Sequence, residues 1–170
     1  VSPWRLARRN RLSLMQVIVP GQRLVLPPTA RRLPPAAQPA SRDSVRAALD
    51  YWSRVYGVDV NLVRALAWME SGFQQDVVSS VGAIGVMQLL PETWEFVDVV
   101  LLGERTARNY RGNVRAGVRY LRWQLDEFDG NVRLALAGWY QGARAVREVG
   151  IYDDTKAFVA NVLALAGRPL

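Results

Sequence analysis

The chain contains neither cysteine nor histidine in its 170 residues, and each absence removes chemistry. Without Cys there is no disulfide framework, no thiolate metal site and no thiol nucleophile. Without His the commonest general base is missing, and with it the usual serine-hydrolase triad and most zinc sites. Lysine is nearly absent too, Lys156 being the only one. Long apolar runs are lacking: Phe96 to Leu102 is interrupted by Asp98 and falls well short of the roughly 20 residues that span a bilayer, so no transmembrane segment is expected. Acid–base chemistry here points to carboxylates, and neither a cofactor nor a metal is expected.

What is present is ordinary globular composition, 50% hydrophobic and 22% charged. The net charge of +7 is unevenly placed. Residues 1–42 carry eight arginines and no acid, whereas the remainder holds all 15 acidic residues and is close to neutral. The basic character therefore belongs to an N-terminal arm. That arm lacks the interleaved aromatics of a nucleic-acid binder, so no nucleic-acid partner is expected. It suits a solvated linker or attraction to an anionic surface. No export signal is legible at Val1, where Arg5, Arg8, Arg9 and Arg11 replace a continuous apolar stretch.

Residues 28–42 read as a Pro/Ala/Arg-rich linker and residues 43–170 as one domain. The domain pattern is helical throughout. Val45, Ala48, Leu49, Trp52 and Val55 recur at helical spacing, as do Leu62, Val63, Leu66, Ala67 and Met69. Asp59 and Asn131 read as N-caps, Gly72 as a helix stop and Pro91 as a first helical residue. No segment alternates long enough to be a strand. The expected fold is all-α, with about six to seven helices behind a basic Pro-rich arm.

Glu70 closes one of these helices, between Ala67-Trp68-Met69 and Ser71-Gly72-Phe73. A carboxyl in such apolar company loses hydration and keeps its proton towards neutral pH, as a general acid must. A solvated glutamate at a helix end is the alternative. The loop that follows, Ser79 to Pro91, carries two glycines and a single amide, Gln88. It reads either as a turn between helices or as a surface offering backbone and amide to a sugar.

Together these segments resemble the lytic transglycosylase domain of the soluble (SLT) type, with a goose-lysozyme-like fold. That family pairs Glu-Ser with a Ser nine residues later, then Gly-x-x-Gly-Leu-Met-Gln-Leu-Met-Pro. Here Glu70-Ser71, Ser79 and Gly82-Ala-Ile-Gly-Val-Met-Gln-Leu-Leu-Pro91 stand in that order. Asn113 to Leu121 is similar to its Asn-x-x-x-Gly-x-x-Tyr-Leu helix, and Asp154-Thr155 with Phe158-Val159 to its closing Glu-Thr-x-x-Tyr-Val. The likeness covers about residues 43–168. Three departures are Leu90 for Met, Asp154 for Glu, and Gly138-Trp139-Tyr140 for Ala-Tyr-Asn.

The resemblance implies cleavage of the β-1,4 bond between N-acetylmuramic acid and N-acetylglucosamine in peptidoglycan, leaving 1,6-anhydro ends. Glu70 is then the single acid and base. Ser79 is expected to bond Glu70 or the acetamido group, Gln88 the N-acetyl group or a hydroxyl, with Met87, Trp139, Tyr140 and Asp154 beside the substrate. Trp139 cannot supply the family's tyrosine hydroxyl; Tyr140 supplies it, or Trp139 merely packs. Trp52, Trp68, Trp94 and Trp123 are assigned to the core, and Asn113 to a helix cap. Peptidoglycan glycan strands are the implied partner of a monomer acting outside the cytoplasm. A non-catalytic wall-binding domain and a water-using muramidase are the competing readings. Residues 1–27 resemble, more weakly, part of a LysM module, a carbohydrate-binding unit.

Overall fold

Helix α1 (Arg42–Tyr56) begins where Ser41 turns its hydroxyl back to accept the Ser44 N–H at 3.1 Å, satisfying one of the donors a helix start leaves open. It ends at Gly57, in the left-handed conformation. The computed structural model describes Asn10, residues 23–25, 40–168 and Leu170, in two units, 1–38 and 39–170. In the first unit, the Asn10 side chain exchanges two hydrogen bonds with the Val25 backbone, at 2.6 and 2.9 Å. The LysM-like reading of residues 1–27 and the linker of 28–42 fall largely outside the described residues.

The second unit is all-helical, as expected. After α1 come α2 (Val60–Ser71), α3 (Pro91–Phe96), a π-helical segment (Val97–Leu102), α4 (Tyr110–Glu127), α5 (Val132–Gln141), α6 (Ala143–Val149) and α7 (Asp153–Ala166). The caps are those the sequence predicts. Asp59 accepts from Leu62 N–H, Asn131 accepts from Leu134 N–H, Gly72 ends α2 in the left-handed region and Pro91 opens α3. No described helix is long and apolar enough to cross a membrane.

The core is built from the apolar stripes of these helices: Leu49, Val63, Leu66, Val118, Leu121, Leu136 and Val162 are fully buried. Helix α4 lies centrally, packed on α1 and α5, while α2 packs on α7 and α1. Arg64 of α2 grips both carboxylate oxygens of Asp50 on α1, at 2.8 and 2.7 Å. A third nitrogen of that guanidinium bonds the Leu170 carbonyl. This two-pronged geometry fixes α2, and hence its C-terminal Glu70, against α1.

Three expected core positions, Val55, Met69 and Trp68, are corrected. Val55 is exposed and Ser53 is buried in its stead, its hydroxyl satisfied by the Leu49 carbonyl at 2.7 Å. Met69 and Trp68 both lie at the surface, although Trp68 still packs edge-on against Phe73. Asp98, inside the apolar run, is fully buried. It accepts from the Thr106 hydroxyl and N–H and pairs with Arg108 at 2.9 Å, which anchors the loop leading into α4.

Candidate active site

The segment between α2 and α3 is irregular but tightly held. Val78 and Ile84 form an isolated antiparallel bridge, as do Ile84 and Leu89. Two side chains pin it to the helices and a third braces it from within. Ser71, next to Glu70, donates from its hydroxyl to the Val86 carbonyl at 2.9 Å. Asn113 is fully buried and accepts from Met87 N–H at 2.7 Å while donating to the Ile84 carbonyl at 2.8 Å. Gln88, in a left-handed conformation at φ 43°, donates to the carbonyls of Val77 and Gly85. Backbone strain of that kind persists where surrounding bonds over-determine it.

Asn113 is thus no cap; Asn109 caps α4, accepting from Arg111 and Gly112 N–H. Its role was legible only in part. Gly117, one turn further along the same face, meets the loop too: a Cβ there would lie 2.6 Å from Met87. The Asn-x-x-x-Gly spacing therefore encodes a helix face on which the loop rests.

Glu70 is half-buried at the end of α2. Burial pushes its carboxyl up to about 7 from an ordinary 4.5, and a hydrogen bond from Trp139 pulls in the opposite direction. The indole Nε1–H donates to Glu70 Oε1 at 2.8 Å. Trp139 is on α5, and its ring leans on Tyr120 of α4 with centroids 5.3 Å apart. Tyr120 stacks in turn on Trp123 and meets Phe96 edge-on. Phe96, Tyr120 and Trp123, with Glu92 and Thr93, line a shallow hollow of about 490 Å³ including its open part. An aromatic surface thus runs from Glu70 along α4 towards α3.

Gly138 explains why α5 sits close enough. A Cβ there would come within 2.4 Å of Gln124 Oε1 and 2.7 Å of Phe128. Without it, Gln124 donates to the Gly138 carbonyl at 3.1 Å and to the Tyr120 hydroxyl at 2.9 Å. The Gly-Trp-Tyr sequence is therefore one device: the glycine admits Gln124, and the tryptophan reaches Glu70.

The other expected site residues fall as follows. Ser79 caps its own loop, accepting the Ala83 N–H at 3.0 Å, and makes no bond to Glu70. Met87 has no exposed surface and shapes the site from beneath. Tyr140 is 49% exposed, stacks on Phe158 at 4.6 Å and makes no hydrogen bond to Glu70 among the described residues. Asp154 is exposed at the start of α7 and accepts from Thr155 N–H. Asp76, the acid nearest in sequence, is exposed. No cluster of acids able to hold a metal occurs among the described residues. A second hollow, about 1130 Å³ including its open part, lies between α1 and the start of α4 beside Tyr51, Trp52, Tyr110 and Arg115. No acid lines it. The site is placed at Glu70 because a buried carboxyl with a neutral-range pKa beside an open aromatic surface is what proton transfer to a ligand requires.

The family described as the transglycosylase SLT domain matches residues 48–161. A transglycosylase of Enterobacteria phage PRD1 is 33% identical over 101 residues, covering 56% of this chain and 36% of its own length. Membrane-bound lytic murein transglycosylase C of Mannheimia succiniciproducens is 29% identical over 125 residues, 65% of this chain and 34% of that protein. The chain thus spans about a third of the length of these relatives. Among solved structures, an inactive Glu-to-Gln mutant of lytic transglycosylase Slt from Pseudomonas aeruginosa superposes with a TM-score of 0.65 at 30% identity, covering 71% of this chain and 23% of that one. The 70-kDa soluble lytic transglycosylase of Escherichia coli shares the fold, with a TM-score of 0.63 at 23% identity over the same shares. The fold and the family expected from the sequence are both borne out: the chain belongs to the transglycosylase SLT domain family.

Proposed function

We propose that this protein is a lytic transglycosylase that cleaves peptidoglycan glycan strands between N-acetylmuramic acid and N-acetylglucosamine, with Glu70 acting first as acid and then as base. The observation that carries the reading is Glu70 itself, protonated up to about pH 7 by burial and bonded by a single side chain, Trp139. A two-carboxylate hydrolase needs a second acid across the scissile bond. The other carboxyl beside this surface, Glu92, is exposed at the start of α3 and has no setting comparable to that of Glu70.

The protonated Glu70 gives its proton to the glycosidic oxygen, which leaves as the 4-hydroxyl of N-acetylglucosamine. Positive charge develops at C1 of the muramoyl ring. The Glu70 carboxylate then takes the proton of the 6-hydroxyl, whose oxygen bonds to C1 and closes the 1,6-anhydro ring. Glu70 is regenerated protonated, and water is not consumed. Gln88 has both amide protons engaged in the loop, which leaves its Oε1 facing no donor among the described residues and suited to accept from an N-acetyl N–H or a hydroxyl. The rings of Tyr120 and Trp123 offer apolar faces for sugars to stack on.

A substrate of this kind places the protein outside the cytoplasm. Incubation of purified sacculi with the chain tests the reading: release of soluble muropeptides is expected, and sacculi left intact would reduce it to a binding domain.

A further inference from the structure

The Trp139–Glu70 hydrogen bond joins residues 69 positions apart, and its donor end is held in place. Trp139 is held through its ring by Tyr120 and through its neighbour's carbonyl by Gln124. Gln124 also holds Tyr120, so one amide sets both contacts. The chemistry of this donor is asymmetric. An indole N–H donates and has no lone pair with which to accept, whereas a phenol does both.

We infer that Trp139 is the positioning residue of Glu70: it fixes Oε1 as the accepting oxygen and leaves Oε2 as the oxygen that gives up and takes back the proton. The inference rests on the reading of Glu70 as acid and base. A proton on Oε1 would face the indole N–H head-on, so the protonated carboxyl carries it on Oε2. Because the indole cannot accept, that proton leaves only to substrate or solvent. Once it has left, the same N–H bonds a full carboxylate, and bonds to an ionised acceptor are stronger. Trp139 therefore stabilises Glu70 most at the moment between its two roles.

The groups around the contact are few. Tyr120 on α4 touches the indole ring and its phenol is pushed up by burial. Tyr140 on α5 stacks on Phe158 of α7, away from the carboxyl. From α1, Arg42 lies over Trp68 and Arg46 over Phe73 rather than on Glu70. No ion pair reaches the carboxyl among the described residues.

NMR titration of the intact chain tests this without any assay of turnover. The indole N–H signal of Trp139 should move downfield with a midpoint equal to that of the Glu70 side-chain carbonyl carbon, and should stay fixed in Glu70→Gln. In Trp139→Phe the Glu70 midpoint should rise by about one pH unit, the scale of one lost hydrogen bond to a charged group. Trp139→Tyr, which returns a donor, should bring it back. In the pH profile, kcat of Trp139→Phe should fall at least tenfold with KM little changed. An indole signal that ignores pH between 5 and 9, or an unmoved Glu70 midpoint in Trp139→Phe, overturns the inference and leaves Trp139 a packing residue. The indole titration needs no variant to fold. Absence of turnover in the wild-type chain would instead overturn the functional reading.

Discussion

Asn113 on α4 accepts the backbone N–H of Met87 at 2.7 Å, so one buried amide from the central helix fixes the loop that faces Glu70. Its other end donates to Ile84, one residue before Gly85. Asn113→Ala would strand the buried Met87 N–H, whereas the Ile84 carbonyl keeps the Leu89 N–H at 3.1 Å. The expected loss is about 1–3 kcal/mol of stability by denaturant unfolding, the cost of one unsatisfied buried group. A loss within a few tenths would show that the loop is held by Ser71 and Gln88 alone.

Gly117→Ala probes the same contact from below. The added methyl would sit 2.6 Å from the Met87 Cβ, closer than any real contact, so Met87 must move and carry Gln88 with it. Activity on peptidoglycan should fall more steeply than the melting temperature. Wild-type turnover in a well-folded Gly117→Ala would separate the loop from catalysis.

Tyr140→Phe should leave turnover within about twofold of wild type and the pH profile unmoved. The ring stacked on Phe158 is kept and only an unbonded hydroxyl is lost. A rate loss of tenfold or more would assign that hydroxyl a role its placement does not give it.

The pH dependence of stability follows from Glu70. Its folded-state value of about 7 lies above its ordinary 4.5, so between these pH values the folded state binds the proton more readily than the unfolded chain. The stability that Glu70 contributes is then fully present below about pH 4.5, is lost as pH rises through this window, and levels off above about 7. Glu70→Gln removes the effect. By linkage the variant should gain up to about 3 kcal/mol over wild type at pH 8 relative to pH 4. Parallel stability curves for the two proteins would show that the carboxyl is better hydrated than its burial implies.

Much of this was legible along the chain. Caps and stops at Asp59, Gly72, Pro91 and Asn131 are local chemistry, decided within four residues, and the structure has them where the pattern places them. Glu70 stood out because its flanking residues are apolar. What the chain could not show was anything joining distant segments. Asn113 looks like a cap because asparagine caps helices, yet its partners are 26 and 29 residues away. Trp139 looked like a lost hydroxyl because a motif comparison registers which residue changed and not what the new side chain can reach. Its indole is long enough to reach Glu70 from α5, and only the packing of α4 against α5 through Gly138 discloses that. Trp68 reads as core along with Trp52, Trp94 and Trp123 because one cleft does not need six tryptophans, although its position on α2 faces outward.

If Glu70 carries both proton transfers without a second carboxylate, the chemical nature of the cleaved end reveals it. Purified peptidoglycan digested with the intact chain at pH 6, then separated and weighed by mass spectrometry, should yield muropeptides ending in 1,6-anhydro-N-acetylmuramic acid. Glu70→Gln, folded but unable to donate, should yield none. Products with ordinary reducing ends, heavier by one water, would contradict the account by showing that water and not the 6-hydroxyl attacks C1.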